Sequence, residues 1–404
     1  MALTDYKQQF DNAYQEIFQK VIVGKSIANL RFEPVLVYGG SIARVLPDVS
    51  AVRVRTVTRG SASTIDALTD SAETLTVNVE KEAVFHISDG EAKQTGPLNP
   101  GEVLGAKIAH LVAMNLDGKI LYETINAAQT FDDGDLVTLS STGTPLKTNS
   151  TTIPQIVTRM PAKLKRKENQ VLTNMALVVD AYVASDIEQY LLGKQFDIVN
   201  SVFKNGYAGA ISTAEVYVSE ALTGEVTLTC PEGHTLEDAA TIIINGVTFT
   251  MSSTAPNAVG EISLATGNTA AGLLQTLQNI KVAFEDPDTT VAGIYYPLSA
   301  ANAAIIAALG LECCVGGQVI RIRAVGGGRL IVSETLSNGA FGSPFLHCYY
   351  GKKGAIDVVV QDLSPVDMRE TADRRGTNVF SSYLAGIKTF TDGAKKFLDV
   401  QILS

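Results

Sequence analysis

The sequence contains no tryptophan, and it has only four cysteines and four histidines among 404 residues. So few of these residues exclude a disulfide framework and most zinc-binding architectures. No run reaches about 18 uninterrupted apolar residues, so no membrane-spanning helix is expected. The first residues also lack the basic start and apolar run of a secretory signal. Together, these missing residue types and patterns predict a protein that is made in a reducing cytosol and is not inserted in a membrane.

A basic surface is also missing. Lysine and arginine number 32 against 42 aspartates and glutamates, which gives a net charge of −10. A dedicated nucleic-acid-binding protein would be basic, so that class is disfavoured. The apolar share of 46% is enough for a large core, and the length suits two or three domains of roughly 100–200 residues each.

The first 90 residues contain a helical pattern followed by a strand pattern. Residues 4–20 carry aromatic and aliphatic side chains at helical spacing, which predicts one amphipathic helix that must cover its apolar face. Residues 42–87 then alternate with period two on either side of a small, polar stretch. This pattern predicts a long, protruding hairpin of two strands.

Charge is segregated along the predicted hairpin. The first arm is basic and the tip and second arm are acidic, and the candidate contact residues are Arg53, Arg55, Arg59, Asp66, Asp70 and Glu73. One interpretation is a solvated hairpin whose charges pair across its own strands. The other is an arm that lies on a neighbouring subunit and pairs its charges there.

A long helix follows the hairpin. Asn99 suits the N-cap and Pro100 the first helical position, and apolar residues then recur at helical spacing as far as Ile125. The predicted helix, residues 100–127, would be roughly 40 Å long and would act as a spine. Ile108 and Leu111 are both predicted to lie on its buried face.

Residues 226–344 differ in amino-acid composition from the rest of the chain. They are rich in alanine, threonine and glycine, and they contain a hairpin with a strong turn signal at Asn245 and Gly246. They also contain helical patterns around Leu277 and over residues 300–309. We expect a compact α+β, β-rich domain inserted into a larger one.

Candidate catalytic and ligand-binding motifs are weak. Gly24-Lys-Ser lacks the upstream glycine of a phosphate-binding loop, and the three glycines from Gly326 lie between two strands, where a turn is expected. Cys230 and His234 could form a metal site only with the distant His347-Cys348 pair. We therefore predict no enzymatic activity, no catalytic residue, no metal and no cofactor.

Three segments carry a resemblance to a known family. They are residues 74–89 (TLTVNVEKEAVFHISD), 205–222 (NGYAGAISTAEVYVSEAL), and 350–361 (YGKKGAIDVVVQ) with the following VDMR. With the order of the predicted elements, they resemble the major capsid proteins of tailed phages, the Hong Kong 97-like fold. The resemblance covers residues 1–225 and 345–404.

The resemblance implies an α+β fold with a defined division of the chain. It implies an N-terminal arm at residues 1–41, an extended loop at 42–87, a peripheral domain at 88–169 and an axial domain at 170–225. Residues 226–344 depart from the pattern as an insertion, which we expect to fold by itself on the outer face of a shell. Residues 345–404 return to the axial and peripheral domains.

The resemblance also implies partners and a location. Copies of the chain would form the pentamers and hexamers of an icosahedral shell in the virion, assembled in the bacterial cytoplasm. A separate scaffold protein, a portal at one vertex, a decoration protein and nonspecifically bound packaged DNA would be the other partners. No crosslinking lysine can be placed. A phage tail or baseplate protein is the alternative interpretation, and a hydrolase with an unrecognised site is a remote one.

Overall fold

The computed structural model describes residues 22–33, 40–48, 56, 69–88, 100–139, 143–149, 151–192, 207–211, 214–231, 236–265, 269–370 and 376–403. Over these ranges the protein has an α+β fold, which confirms the predicted fold class. The helical pattern at residues 4–20 falls outside the described residues, as does most of the segment between residues 49 and 68.

The helices of the described residues confirm most of the helical patterns in the sequence. They are α1 (Gly24–Ile27), α2 (Pro100–Tyr122), α3 (Thr152–Glu168), α4 (Ala181–Leu192), α5 (Ala270–Glu285), α6 (Ala300–Leu309) and α7 (Thr391–Ala394). The predicted spine is α2, and a short 3-10 helix, Glu123–Asn126, continues it close to the predicted end at residue 127.

The strands are numbered in chain order. They are β1 (Ser41–Asp48), β2 (Thr69–Thr76), β3 (Val79–Ser88), β4 (Gln129–Phe131), β5 (Met175–Val179), β6 (Tyr207–Ile211), β7 (Ala214–Val218), β8 (Thr223–Thr229), β9 (Thr241–Ile244), β10 (Val247–Ser252), β11 (Glu261–Ser263), β12 (Leu311–Gly316), β13 (Val319–Ala324), β14 (Val332–Glu334), β15 (Ala340–Phe341), β16 (Phe345–Lys352), β17 (Asp357–Glu370), β18 (Gly376–Lys388) and β19 (Phe397–Leu403).

These strands form four sheets. The largest has ten strands, with the path β12-β13-β8-β16-β5-β7-β6 and with β15, β19 and β4 attached to it. A four-stranded sheet has the order β11-β10-β9-β14, a three-stranded sheet has the order β17-β18-β3, and β1 pairs with β2 alone. The ten-stranded sheet therefore joins strands from both sides of residues 226–344.

The spine helix α2 packs one face into the main hydrophobic core. Ile108, Val112, Leu116 and Ile120 are buried there at helical spacing. Leu111 is not: 63% of it is exposed, against 8% of Ile108. The prediction that Leu111 is buried is wrong, because three residues turn a helix by about 300° and place Leu111 beyond Ile108, away from the core.

The hairpin differs from its prediction at its second strand. β1 and β2 pair antiparallel over eight residue pairs, from Ser41 opposite Thr76 to Asp48 opposite Thr69. The predicted strand through Leu75 and Val79 is instead divided between two sheets, since β2 ends at Thr76 and β3 pairs with β18. Alternation continues across the break, so the sequence pattern could not reveal it.

Residues 226–344 contain a hydrophobic core of their own. Most of its buried side chains come from strands β8 to β13 and from helices α5 and α6. Asn245 and Gly246 have φ angles of 48° and 82°, the left-handed pair that a type I′ hairpin turn requires between β9 and β10. The expected boundary at residue 226 falls inside β8, however, so this unit continues the sheet of the main body.

The triple-glycine loop is a turn, as predicted, and it also makes a tight contact. It lies against α2, where a Cβ added to Gly118 would come within 2.6 Å of the Gly326 carbonyl oxygen. A side chain larger than hydrogen at position 118 would therefore push the loop away from the helix.

The two faces of α2 provide a matched pair of substitutions. We expect Ile108→Asp to lower the free energy of unfolding by several kcal/mol, because it buries an unpaired carboxyl group. Leu111→Asp should change it by less than about 0.5 kcal/mol, as an exposed substitution does. Denaturant titration of the two variants measures both effects. Equal losses would mean that the buried face of the helix is misassigned.

Candidate functional site

The structure describes only part of the predicted contact set. Arg53, Arg55, Arg59 and Asp66 lie outside the described residues. The backbone of Asp70 lies in β2 opposite Pro47, and Glu73 lies opposite Arg44. The assignment of these six residues to contacts between subunits stays a prediction.

The base of the hairpin is tied to α7 through polar contacts from both strands. Arg44 of β1 donates two hydrogen bonds to the Asp392 carboxylate, of 2.9 and 2.8 Å. Glu73 of β2 accepts hydrogen bonds from the backbone N–H and the hydroxyl of Thr391. Lys396 also bonds Asp392, at 3.1 Å. Despite partial burial of Asp392, these two cations hold the pKa of its carboxyl group below its usual range.

A small apolar cluster lies beneath these ion pairs. Leu75 of β2, Val359 of β17 and Phe390 are all buried in it. The Arg44 guanidinium lies over the Phe390 ring at 5.2 Å from the ring centroid, and the Lys388 ammonium lies over it at 5.6 Å. The hairpin is thus held at its base by the three-stranded sheet and α7.

The described part of the predicted N-terminal arm packs on its own chain. Ile22, Val23 and Ile27 belong to the main core. The buried carboxylate of Asp117 on α2 accepts hydrogen bonds from the backbone N–H of Gly24 and, at 3.0 Å, from the hydroxyl of Ser219. Burial raises the pKa of Asp117 to about 6, although these hydrogen bonds oppose the shift.

Four further cysteine and histidine side chains are each buried or hydrogen-bonded: Cys230, Cys348, His347 and His86. Cys230 and Cys348 are buried, and burial raises the pKa of each thiol, to about 11 for Cys230. His347 contacts two carboxylates, and His86 is bonded to Asn378 at 2.7 Å. In the part of the chain that the structure describes, no group of three or more His, Cys, Asp or Glu side chains could hold a metal ion. His234, the remaining member of the possible metal site, falls outside it.

The basic run at the end of α3 divides into two parts. Lys165, Arg166 and Lys167 are exposed. Lys163 is buried and forms an ion pair with the buried Asp135, with 2.5 Å between Nζ and Oδ2. Sequence patterns could not reveal that pair, because its members are 28 residues apart. Among the described helices, none is long and apolar enough to cross a membrane.

Comparisons with known proteins gave structural matches alone. No family model matches the sequence, and no curated protein matches it. The fold is similar to a structure from Mycobacterium phage Che8, with 12% identity, 93% of this chain and 90% of that chain covered, and a TM-score of 0.48.

Two further structures are described as capsids. The capsid structure of cyanophage P-SCSP1u has 9% identity, covers 90% of this chain and 83% of its own, and has a TM-score of 0.45. The capsid of Ralstonia phage GP4 has 8% identity, with coverage of 91% and 84% and a TM-score of 0.43.

The anchor of the hairpin can be tested by removing its guanidinium. Arg44→Ala should lower the free energy of unfolding by about 1 kcal/mol, since a charge-assisted pair of hydrogen bonds at a partly exposed site is lost. It should also speed hydrogen exchange in Ser41–Asp48. The control is Lys25→Ala, whose ion pair with Glu33 spans 3.6 Å and is similarly exposed. An Arg44 variant that behaves like the Lys25 variant would contradict the anchoring role.

Proposed function

We propose that the chain is the major capsid protein of a tailed phage, a structural protein without enzymatic activity. The observation that carries the proposal is the hairpin β1–β2, which is anchored at its base and pairs with no further strand among the described residues. A two-stranded ribbon is marginally stable by itself in water, so a surface on another copy of the chain is its natural partner.

The composition of the rest of the hairpin sequence supports this partner. Valine alternates with arginine over residues 52–55 and Arg59 follows, whereas Asp66, Asp70 and Glu73 belong to the predicted tip and second arm. The basic arm of such a ribbon can form ion pairs with acidic side chains on a neighbouring subunit, including those of that subunit's own ribbon. Because the contact repeats around a ring of identical subunits, small gains at each copy add up.

In the proposed assembly, each unit of the chain has its own place. The peripheral domain contains α2 and the closing strands, and the axial domain contains β5 and β7 and forms the centre of pentamers and hexamers. Residues 226–344, with their separate core, form an insertion on the outer face of the shell. Any overlap of the N-terminal arm with a neighbour would come from parts of the arm other than residues 22–33, which pack on their own chain.

The shell would be part of the virion and would be assembled in the host cytoplasm. A separate scaffold protein would guide assembly, a portal would occupy one vertex, and a decoration protein could bind the outside. Packaged DNA would be held by weak, nonspecific contact, in keeping with the net charge of −10.

Charge reversal in the hairpin tests the proposal. We expect the triple variant Arg53→Glu, Arg55→Glu and Arg59→Glu to reduce the yield of shells or capsomer rings at least roughly tenfold, with little change in thermal stability of the subunit. The measurement is sedimentation of assembled material together with thermal unfolding of the unassembled chain.

A matched control carries the same change in charge on an exposed surface elsewhere. It reverses Lys165, Arg166 and Lys167 at the end of α3, all of which are exposed. This control should assemble. Normal shell yield from the hairpin variant, or equal failure of the control, would overturn the role of the hairpin. Tubes in place of shells would favour a tail protein.

A further inference from the structure

The ten-stranded sheet crosses between the two hydrophobic cores at one place. β16 contributes Leu346, Cys348 and Tyr349 to the main core, whereas β8 contributes Val226 and Leu228 to the second core. The two strands pair over only three residue pairs, which join residues 345–347 to residues 223–225. We call this boundary between β8 and β16 the seam.

A line of charged side chains crosses the seam from strand to strand. His347 of β16 lies between two carboxylates. Its Nδ1 is 2.9 Å from both carboxylate oxygens of Asp399 on β19, and its Nε2 is 3.3 Å from Oε2 of Glu225 on β8. Arg323 of β13 donates to Glu225 Oε2 at 2.6 Å, and Arg321 lies 3.1 Å from Glu225 Oε1.

The line ends at the outer strand of the inserted unit. Glu312 of β12 lies opposite Arg323 in the strand register, and it accepts a 3.0 Å hydrogen bond from the hydroxyl of Tyr122, the last residue of α2. The charges alternate in sign from Asp399 through His347, Glu225 and Arg323 to Glu312. An imidazole without its proton would interrupt that alternation at the seam.

The centre of the line is sealed from water. His347, Glu225 and Asp399 are exposed by only 2%, 5% and 3%. Two buried carboxylates with a neutral ring between them would be costly, because each buried charge needs a partner of opposite sign. Glu225 would retain its arginines. The neutral ring keeps one N–H, which can still donate to Asp399, but its unprotonated Nε2 would then face the Glu225 oxygen 3.3 Å away.

We propose that protonated His347 is a pH-sensitive latch that holds the inserted unit, residues 226–344, to the main sheet. When the ring loses its proton, the seam opens locally between β8 and β16 while both cores stay folded. The inserted unit then keeps its contacts with α2 at Gly118 and Tyr122 but loses its strand pairing with the main sheet. This inference depends on the geometry of the charge line and stands apart from the proposed shell function.

The pH range follows from the groups that face the ring. Burial alone would lower the pKa of His347, but the charge of Asp399 and the hydrogen bonds to Asp399 and Glu225 outweigh it and raise the pKa from 6.5 to about 9. For Glu225, burial is likewise outweighed by His347 and Arg323, so its pKa lies below the usual range. A raised histidine pKa contributes stability that is complete below pH 6.5 and is lost as the pH rises through about 9.

Hydrogen exchange of the full chain tests the latch. Protection factors, corrected for the intrinsic effect of pH, are compared between about pH 7 and about pH 10 for β8 and β16, with β5 and β10 as core references. We expect the seam strands to lose roughly tenfold to a hundredfold protection at the higher pH, while the references change little. Unchanged protection of the seam, or equal loss in all four strands, would overturn the proposal.

Substitutions separate the latch from other titrating groups. His347→Gln should show open seam strands already at about pH 7, with no further opening at about pH 10. His86→Gln, a half-buried histidine bonded to Asn378, is the matched control and should behave as the unaltered chain.

A second variant keeps the test decisive if His347→Gln does not fold. The double variant His347→Gln with Asp399→Asn removes one positive and one negative charge, and it leaves Glu225 with its arginines. It should restore seam protection at about pH 7 and abolish its pH dependence. Persistent pH-dependent opening of the seam in the double variant would contradict the role of His347.

Discussion

The buried face of the spine helix α2 is the contact on which the rest of the molecule depends. Its apolar stripe forms one side of the main core. Its polar residues each reach a different part of the chain: Asp117 binds the N-terminal segment at Gly24, and Asn115 accepts a 2.7 Å hydrogen bond from Tyr383 of the three-stranded sheet. Gly118 contacts the triple-glycine loop of the inserted unit. One helix therefore orients elements that are distant in sequence.

The sequence predicted local elements well wherever one period dominated. The pattern over residues 300–309 and the turn at Asn245 and Gly246 were both found as predicted. Leu111 was misplaced because the aliphatic residues of α2 cover a wider arc of the helix than the face that is buried. The strand through Leu75 and Val79 was misread because its alternation continues while the chain passes from one sheet to another.

The contacts that position the hairpin and the inserted unit could not be predicted. Arg44 meets Asp392 across 348 residues, and His347 meets Glu225 across 122. Pattern and spacing carry no information about such pairs, since they form only when the sheets do. The compositional change near residue 226 did indicate a second unit, but it could not show that β8 belongs to both.

The fold thus combines rigid local units with polar junctions. Each hydrophobic core is continuous within its unit. Ion pairs and hydrogen bonds join the units at the seam, and at the hairpin base they lie over a small apolar cluster. Polar junctions are easier to rearrange than packed cores, because their partners can be exchanged for water or for another chain. That combination would suit the proposed shell subunit, whose parts would adopt slightly different orientations in pentamers and hexamers.

If the chain is a shell subunit, as we propose, the mass of its assembled form will show it. The full-length chain, purified from the cell that expresses it, would be examined by sedimentation velocity and electron microscopy of the same fractions. We expect closed particles in the megadalton range, or rings of five and six subunits that are their building blocks. A chain that stays monomeric or dimeric at every concentration tested would contradict it.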